Sequence, residues 1–145
     1  MTTKSPDPAE TDSIFASGEV AEQWRRGAAQ RDEVTGPASE MMLDLGKLGS
    51  GSRVLDVAAG TGDQTLMAAR RVGPTGYVLA TDNSTSMLNV AAEATRNAGL
   101  ANVDTRVMDA ENIDLNAHRS TRSYAGWVSC CFPIRSKRLS GCTAW

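Results

Sequence analysis

Hydrophobic and polar positions along the chain follow two regimes. Between residues 17 and 32, Val20, Trp24 and Ala28 recur every four residues, so one face of a helix is apolar while Arg25, Arg26 and Arg31 face water. Gly36 and Pro37 are expected to end that helix. A second helix is expected to follow, with Met41, Leu45 and Leu48 along one stripe and Gly46, Gly49 and Gly51 loosening its end.

From residue 53 the pattern becomes strand, turn, helix, repeated. RVLDV at 53–57 is a short run rich in strand formers, Gly60 to Gly62 is a glycine turn, and 63–71 forms a helix stopped by Gly73 and Pro74. YVLAT at 77–81 is a second strand, apolar enough for burial on both faces. Asn83 or Ser84 can cap the next helix, in which Met87, Ala91, Ala94 and Ala98 share a face and Gly99 suits a left-handed C-terminal cap. Residues 103–108 form a third strand whose alternation of Val103, Thr105 and Val107 suits a sheet edge.

Two consecutive βαβ units with right-handed crossovers give an α/β fold with a parallel sheet. Its first strand lies beside the second, and the second beside the third. The length of 145 residues, 41% hydrophobic and 22% charged, is that of one globular domain. No apolar run approaches the ~18 residues needed to span a bilayer, so a cytoplasmic address is expected.

The net charge of −2 hides a split. All 17 acidic residues lie between Asp7 and Asp114, leaving residues 1–116 at −7 and residues 117–145 at +5. The organisation expected from this is a disordered leader over 1–16, a cofactor-binding unit over 17–116, and an irregular basic tail over 117–145. Overall acidity gives no attraction to nucleic acid.

Candidate chemistry concentrates at the strand ends. A strand followed by Gly60-Thr61-Gly62 and a helix lets backbone approach a ligand closely and points helix N–H groups at it. Such a turn also arises from packing alone. What sharpens it is Asp82, closing the second strand twenty residues past Gly62, where a carboxylate can accept both ribose hydroxyls of a nucleoside. Two nucleotide classes fit: a dinucleotide such as NAD, and S-adenosylmethionine. The dinucleotide fingerprint wants a third glycine where Thr65 stands. Asp56, an acid inside the first strand, is not called for by a pyrophosphate but suits a cationic sulfonium with an ammonium tail. It could equally cap loop amides.

The runs VLDVAAGTGDQT, VLATDNSTSML and VMDAENIDL resemble the first three motifs of class I S-adenosylmethionine-dependent methyltransferases, nearest to the ubiquinone and menaquinone C-methyltransferase-like branch. The resemblance spans roughly residues 24–115. It implies a partial Rossmann-like fold of three strands with flanking helices. It also implies that Asp56, Ala58, Gly60 and Gly62 line the methionine and ribose portion of the cofactor and that Asp82 binds the ribose. Asn83 and Met87 would then pack by the adenine, with Asp109 and Ala110 at its amino edge. Met87 also serves its helix as an ordinary core residue. Ala58 stands where many members have glycine, which a negative φ would accommodate. Catalysis in this family is alignment and desolvation of an in-line displacement, so the resemblance supplies no catalytic residue and no metal, and leaves the small-molecule acceptor and the oligomeric state unknown.

After Leu115 the resemblance stops. Residues 120–145 sustain neither helical nor strand periodicity. Back-translated with freely chosen synonymous codons and read one nucleotide out of register, that stretch can give FDAVICRLGFMLFPDPFKAFKWMYRV, the kind of run family members carry there. The expectation is therefore a frame change near residues 116–119, a C-terminal half that is missing or scrambled, and a first strand left with an open, association-prone edge. His118, Cys130, Cys131 and Cys142 match no common zinc spacing. An inactive chain that at most binds the nucleoside is the alternative to an enzyme.

Overall fold

Ser17 opens the first helix, its Oγ accepting the Val20 N–H at 3.2 Å. In the computed structural model, which describes residues 17–110 and 113 together with two further strands at Tyr124–Val128 and Cys142–Thr143, this helix is α1 (Gly18–Arg26). The expected leader over 1–16, most of the basic tail, and His118, Cys130 and Cys131 lie outside the described residues.

A break at Gly27 separates α1 from α2 (Ala28–Leu45). The helix boundary expected at Gly36 and Pro37 is not there: α2 runs through Pro37. Proline disfavours helical geometry in the preceding residue by clashing with its N–H and Cβ, and Gly36, with no Cβ, removes part of that cost. The expected stripe is also displaced. Met41 and Leu45 are 64% and 72% exposed, whereas Gly36, Ser39 and Leu43 face inward. Arg71 ties this helix down by reaching both Asp44 and Glu40 at 2.5 Å.

The alternating part of the chain forms β1 (Arg53–Val57), α3 (Asp63–Val72), β2 (Tyr77–Asp82), α4 (Thr85–Asn97) and β3 (Val103–Val107). Ser84 is the cap of α4, its Oγ accepting the Met87 N–H at 3.2 Å, and Gly99 takes the left-handed position past the helix end. The inward face of α4 is Met87, Leu88, Ala91 and Thr95, so it follows the expected stripe for one turn and then rotates off Ala94 and Ala98.

The sheet is parallel throughout in the order β3-β2-β1-β4-β5, with β4 (Tyr124–Val128) and β5 (Cys142–Thr143) completing it. β3 is an edge strand and β2 is buried along its middle, as their patterns require. On one face Val54 and Val78 pack with Leu43, Ala68, Ala69 and Val72. On the other, Leu55, Val57 and Leu79 are met by Ala110 and Ile113.

The open edge expected on β1 is absent, because β4 pairs with it from Val54↔Ala125 to Val57↔Val128. Parallel pairing uses peptide N–H and C=O groups, and YAGWV is rich in strand formers. A segment without sustained periodicity can therefore still extend the ladder.

Candidate functional site

Strand order reverses at β1, with β2 on one side and β4 on the other, so the carboxyl end of β1 is where an open parallel sheet leaves a crevice for a ligand. The turn leaving β1 fills that place. Its backbone takes positive φ at Ala58 (57°), Gly60 (56°) and Gly62 (87°). The negative φ that would have made Ala58 an easy substitute for glycine is not what the chain adopts. The turn must swing from the end of the strand to the start of α3 within five residues, and a left-handed step at residue 58 begins that swing.

The two glycines serve different purposes. A Cβ on Gly62 would lie 2.8 Å from the Cβ of Ala91, so Gly62 lets α3 start against α4. A Cβ on Gly60 would meet nothing within 4 Å. Gly60 thus faces open space, and no side chain caps the start of α3 beside it.

Asp82, at the end of β2, reaches across to this turn. Its Oδ2 accepts the Gly60 N–H at 2.8 Å and its Oδ1 accepts the Ser84 N–H at 2.9 Å. The structure therefore brings the glycine turn and the second-strand carboxylate together, as their spacing implied. The ladder continues past both strands through the Ala59 N–H to the Thr81 carbonyl and the Met108 N–H to the Asp82 carbonyl, each 2.9 Å. The second of these holds the segment carrying Asp109 and Ala110 at the same end of the sheet. Asn83 is exposed beside Asp82, Asp109 is exposed, and Ala110 packs on the Leu55, Val57 and Leu79 face. Met87 is 3% exposed in the first turn of α4.

Asp56 lies beneath the turn at 1% exposure. Rather than capping loop amides, its Oδ2 accepts the Thr65 hydroxyl at 2.6 Å, while Oδ1 is buried without a hydrogen-bond partner. Burial pushes this carboxyl up to about 7; the Thr65 hydroxyl opposes the shift and the neighbouring Asp82 charge adds to it. Thr65, fully buried, uses its hydroxyl for Asp56 at the position where a dinucleotide fingerprint would have glycine.

One contributor was not foreseen. Arg31 of α2, expected to face water, turns inward to the glycine turn: it pairs with Asp63 at 2.7 Å and donates to the Thr61 hydroxyl at 3.3 Å. Helical spacing did not mark it: Trp24, expected inward on the same stripe, is 42% exposed while Ala21 is the buried residue of α1, and the break at Gly27 separates Trp24 from Arg31. Among the described residues no cluster of three or more potential metal ligands forms, and no helix is long and apolar enough to cross a membrane.

The family model described as "Methyltransferase domain" matches residues 54–137, a span that includes β4. The chain is similar to the ubiquinone/menaquinone biosynthesis C-methyltransferase UbiE of Saccharophagus degradans, 44% identical over 62 residues, covering 43% of this chain and 25% of that protein. It is likewise similar to UbiE of Pseudomonas aeruginosa strain LESB58, 43% identical over 72 residues, covering 49% of this chain and 28% of the relative. The chain thus spans about a quarter of the length of these curated relatives. Among solved structures, coclaurine N-methyltransferase bound to N-methylheliamine and SAH shares the fold. Its TM-score is 0.56 at 23% identity, covering 66% of this chain and 27% of that one.

Proposed function

The chain belongs to the methyltransferase-domain family, and we propose that it is the cofactor-binding part of an S-adenosylmethionine-dependent methyltransferase whose acceptor is a small molecule. The observation that carries this is the meeting of Asp82 with the Gly60 turn at the point where strand order reverses, above the buried Asp56.

The residues present fit the cofactor on three counts. Gly60 opens onto space that a side chain would fill. Each Asp82 oxygen accepts one backbone amide and keeps a lone pair for a ribose hydroxyl. Asp56 has a buried oxygen without a partner, and a cation bound at this end of the sheet would favour the charged form of that carboxyl. In this reading Asp56, Ala58, Gly60 and Gly62 line the methionine and ribose portion and Asp82 holds the ribose. Asn83 and Met87 flank the adenine, and Asp109 and Ala110 lie at its amino edge. When bound, the cofactor supplies a methyl group activated by positive sulfur. The chain's own residues fix its orientation and exclude water from one side, which is the main requirement for an in-line displacement.

The reading carries a cytoplasmic location, no metal and no nucleic-acid partner. Calorimetric titration with S-adenosylhomocysteine and, separately, with NAD tests it. Binding of the first and not the second is expected, and the reverse result overturns the assignment.

A second reading is a chain that binds the nucleoside without transferring methyl groups. It is favoured by the stretch after residue 116, which has no acidic residue and which, back-translated and read one nucleotide out of register, can give a run of the family's kind, although the family model itself extends to residue 137. The coding DNA tests the frame change: bases incompatible with the shifted reading end it. Methyl transfer by this chain, compared with a frame-restored version, separates the two readings.

A further inference from the structure

We propose that Arg31 is a positioning residue that latches the two N-terminal helices onto the glycine turn, so that α1, α2 and the cofactor site move as one unit. Its guanidinium joins three elements at once. Nε and Nη2 both engage Asp63 Oδ2, at 2.9 and 2.7 Å, at the first residue of α3. Nη2 also reaches the hydroxyl of Thr61, in the middle of the turn, at 3.3 Å. Nη1 donates to the Trp24 carbonyl of α1 at 2.7 Å, and the guanidinium lies over the Trp24 ring, 4.8 Å from its centroid.

The break between α1 and α2 is built around this side chain. A Cβ on Gly27 would stand 3.0 Å from Arg31 Nη1, so glycine at the break leaves room for the guanidinium to reach back to α1. The planar fork of arginine suits simultaneous contact with a carboxylate, a carbonyl and an aromatic face in a way that a lysine ammonium does not.

The turn is consequently held from two sides: Asp82 grips Gly60 from β2, and Arg31 grips Thr61 and Asp63 from α2. Releasing Arg31 loosens α1 and the start of α2 from the turn, while the later part of α2 stays anchored by Leu43 in the core with Val54, Val72 and Val78 and by Arg71 on Glu40 and Asp44. On the proposed cofactor reading, a ligand that needs the turn in place binds less well once the latch is open, and a bound ligand in turn strengthens the latch.

Amide hydrogen exchange on the full chain without ligand tests the latch independently of the cofactor. In Arg31→Met, exchange at residues 59–63 and 18–27 is expected to rise by about fivefold or more, while the middle of β1 and β2 is unchanged. Arg31→Lys, which keeps the charge but not the fork, is expected to fall between Arg31→Met and the parent chain. Unchanged exchange at the turn overturns the latch, as does acceleration spread equally over the sheet, because Arg31 would then contribute only general stability. Should Arg31→Met not fold, Asp63→Asn gives the same local readout. In parallel, the dissociation constant for S-adenosylhomocysteine is expected to rise by about tenfold in Arg31→Met and to recover partly in Arg31→Lys. A rise below about twofold overturns the coupling. If the parent chain binds no S-adenosylhomocysteine, the cofactor reading fails, and the exchange experiment still decides the latch.

Discussion

Asp82 and Gly60 are joined by a 2.8 Å hydrogen bond from the Gly60 N–H to the Asp82 carboxylate, which ties the end of β2 to the turn after β1. The other oxygen of the same carboxylate holds the Ser84 N–H at the entrance to α4. One side chain thus organises two of the loops at the crevice and offers its remaining lone pairs to a ligand. Replacing it with alanine is expected to weaken S-adenosylhomocysteine binding by about 1.5 to 3 kcal/mol, the scale of hydrogen bonds to a charged group. Calorimetry checks this, and unchanged affinity removes Asp82 from the ribose role.

Asp56 makes a prediction about pH. Its carboxyl is pushed by burial from 3.8 up to about 7, so between those values the folded chain holds a proton that the unfolded chain releases. Stability from this group therefore falls as pH rises through that window, and at pH 8 the buried charge costs about 2 to 4 kcal/mol. Asp56→Asn keeps an acceptor for the Thr65 hydroxyl and carries no charge. Urea unfolding at pH 8 is expected to show this variant to be more stable than the parent, with the difference shrinking toward pH 5. The same change is expected to weaken binding of the cationic cofactor, so stability and affinity move in opposite directions.

Ala58 sits at φ 57°, a conformation that strains any residue with a Cβ. Ala58→Gly is expected to stabilise the chain by about 0.5 to 1 kcal/mol, measured as a shift in the unfolding midpoint. A destabilised glycine variant would mean that the Ala58 methyl makes contacts outweighing the backbone strain.

Gly60 and Gly62 separate on substitution by alanine. Gly62→Ala adds an overlap with Ala91 to its unfavourable φ and is expected to cost about 2 to 4 kcal/mol of stability. Gly60→Ala has room for its methyl and is expected to cost about 1 kcal/mol, with the larger loss in S-adenosylhomocysteine affinity. Thermal unfolding and calorimetry of both variants check the pair. Equal effects on stability would show that the space beside Gly60 is not what distinguishes the two positions.

Local features of the chain were legible without coordinates. Val54, Leu55 and Val57, the run at 77–81, and the alternation of Val103, Thr105 and Val107 mark β1, β2 and β3, because strand periodicity is written in side-chain order. The glycine turn and Asp82 were legible for the same reason: left-handed backbone and a strand-end carboxylate each require particular residue types.

What the fold alone decided depends on partners distant along the chain. The pattern said that one face of the first helices turns inward, but only packing against α3 shows that the face includes Arg31, because Asp63 and Thr61 lie about thirty residues away. Pro37 looked like a terminus, yet α2 runs through it, helped by a preceding glycine with no Cβ to clash with the ring. β4 pairs with β1 through peptide groups common to every sequence, so the strand formers Tyr124, Trp127 and Val128 could hint at a strand but not at its partner. Residue order records what each segment prefers to bury; which partner meets it is fixed only when all the segments compete for the same core.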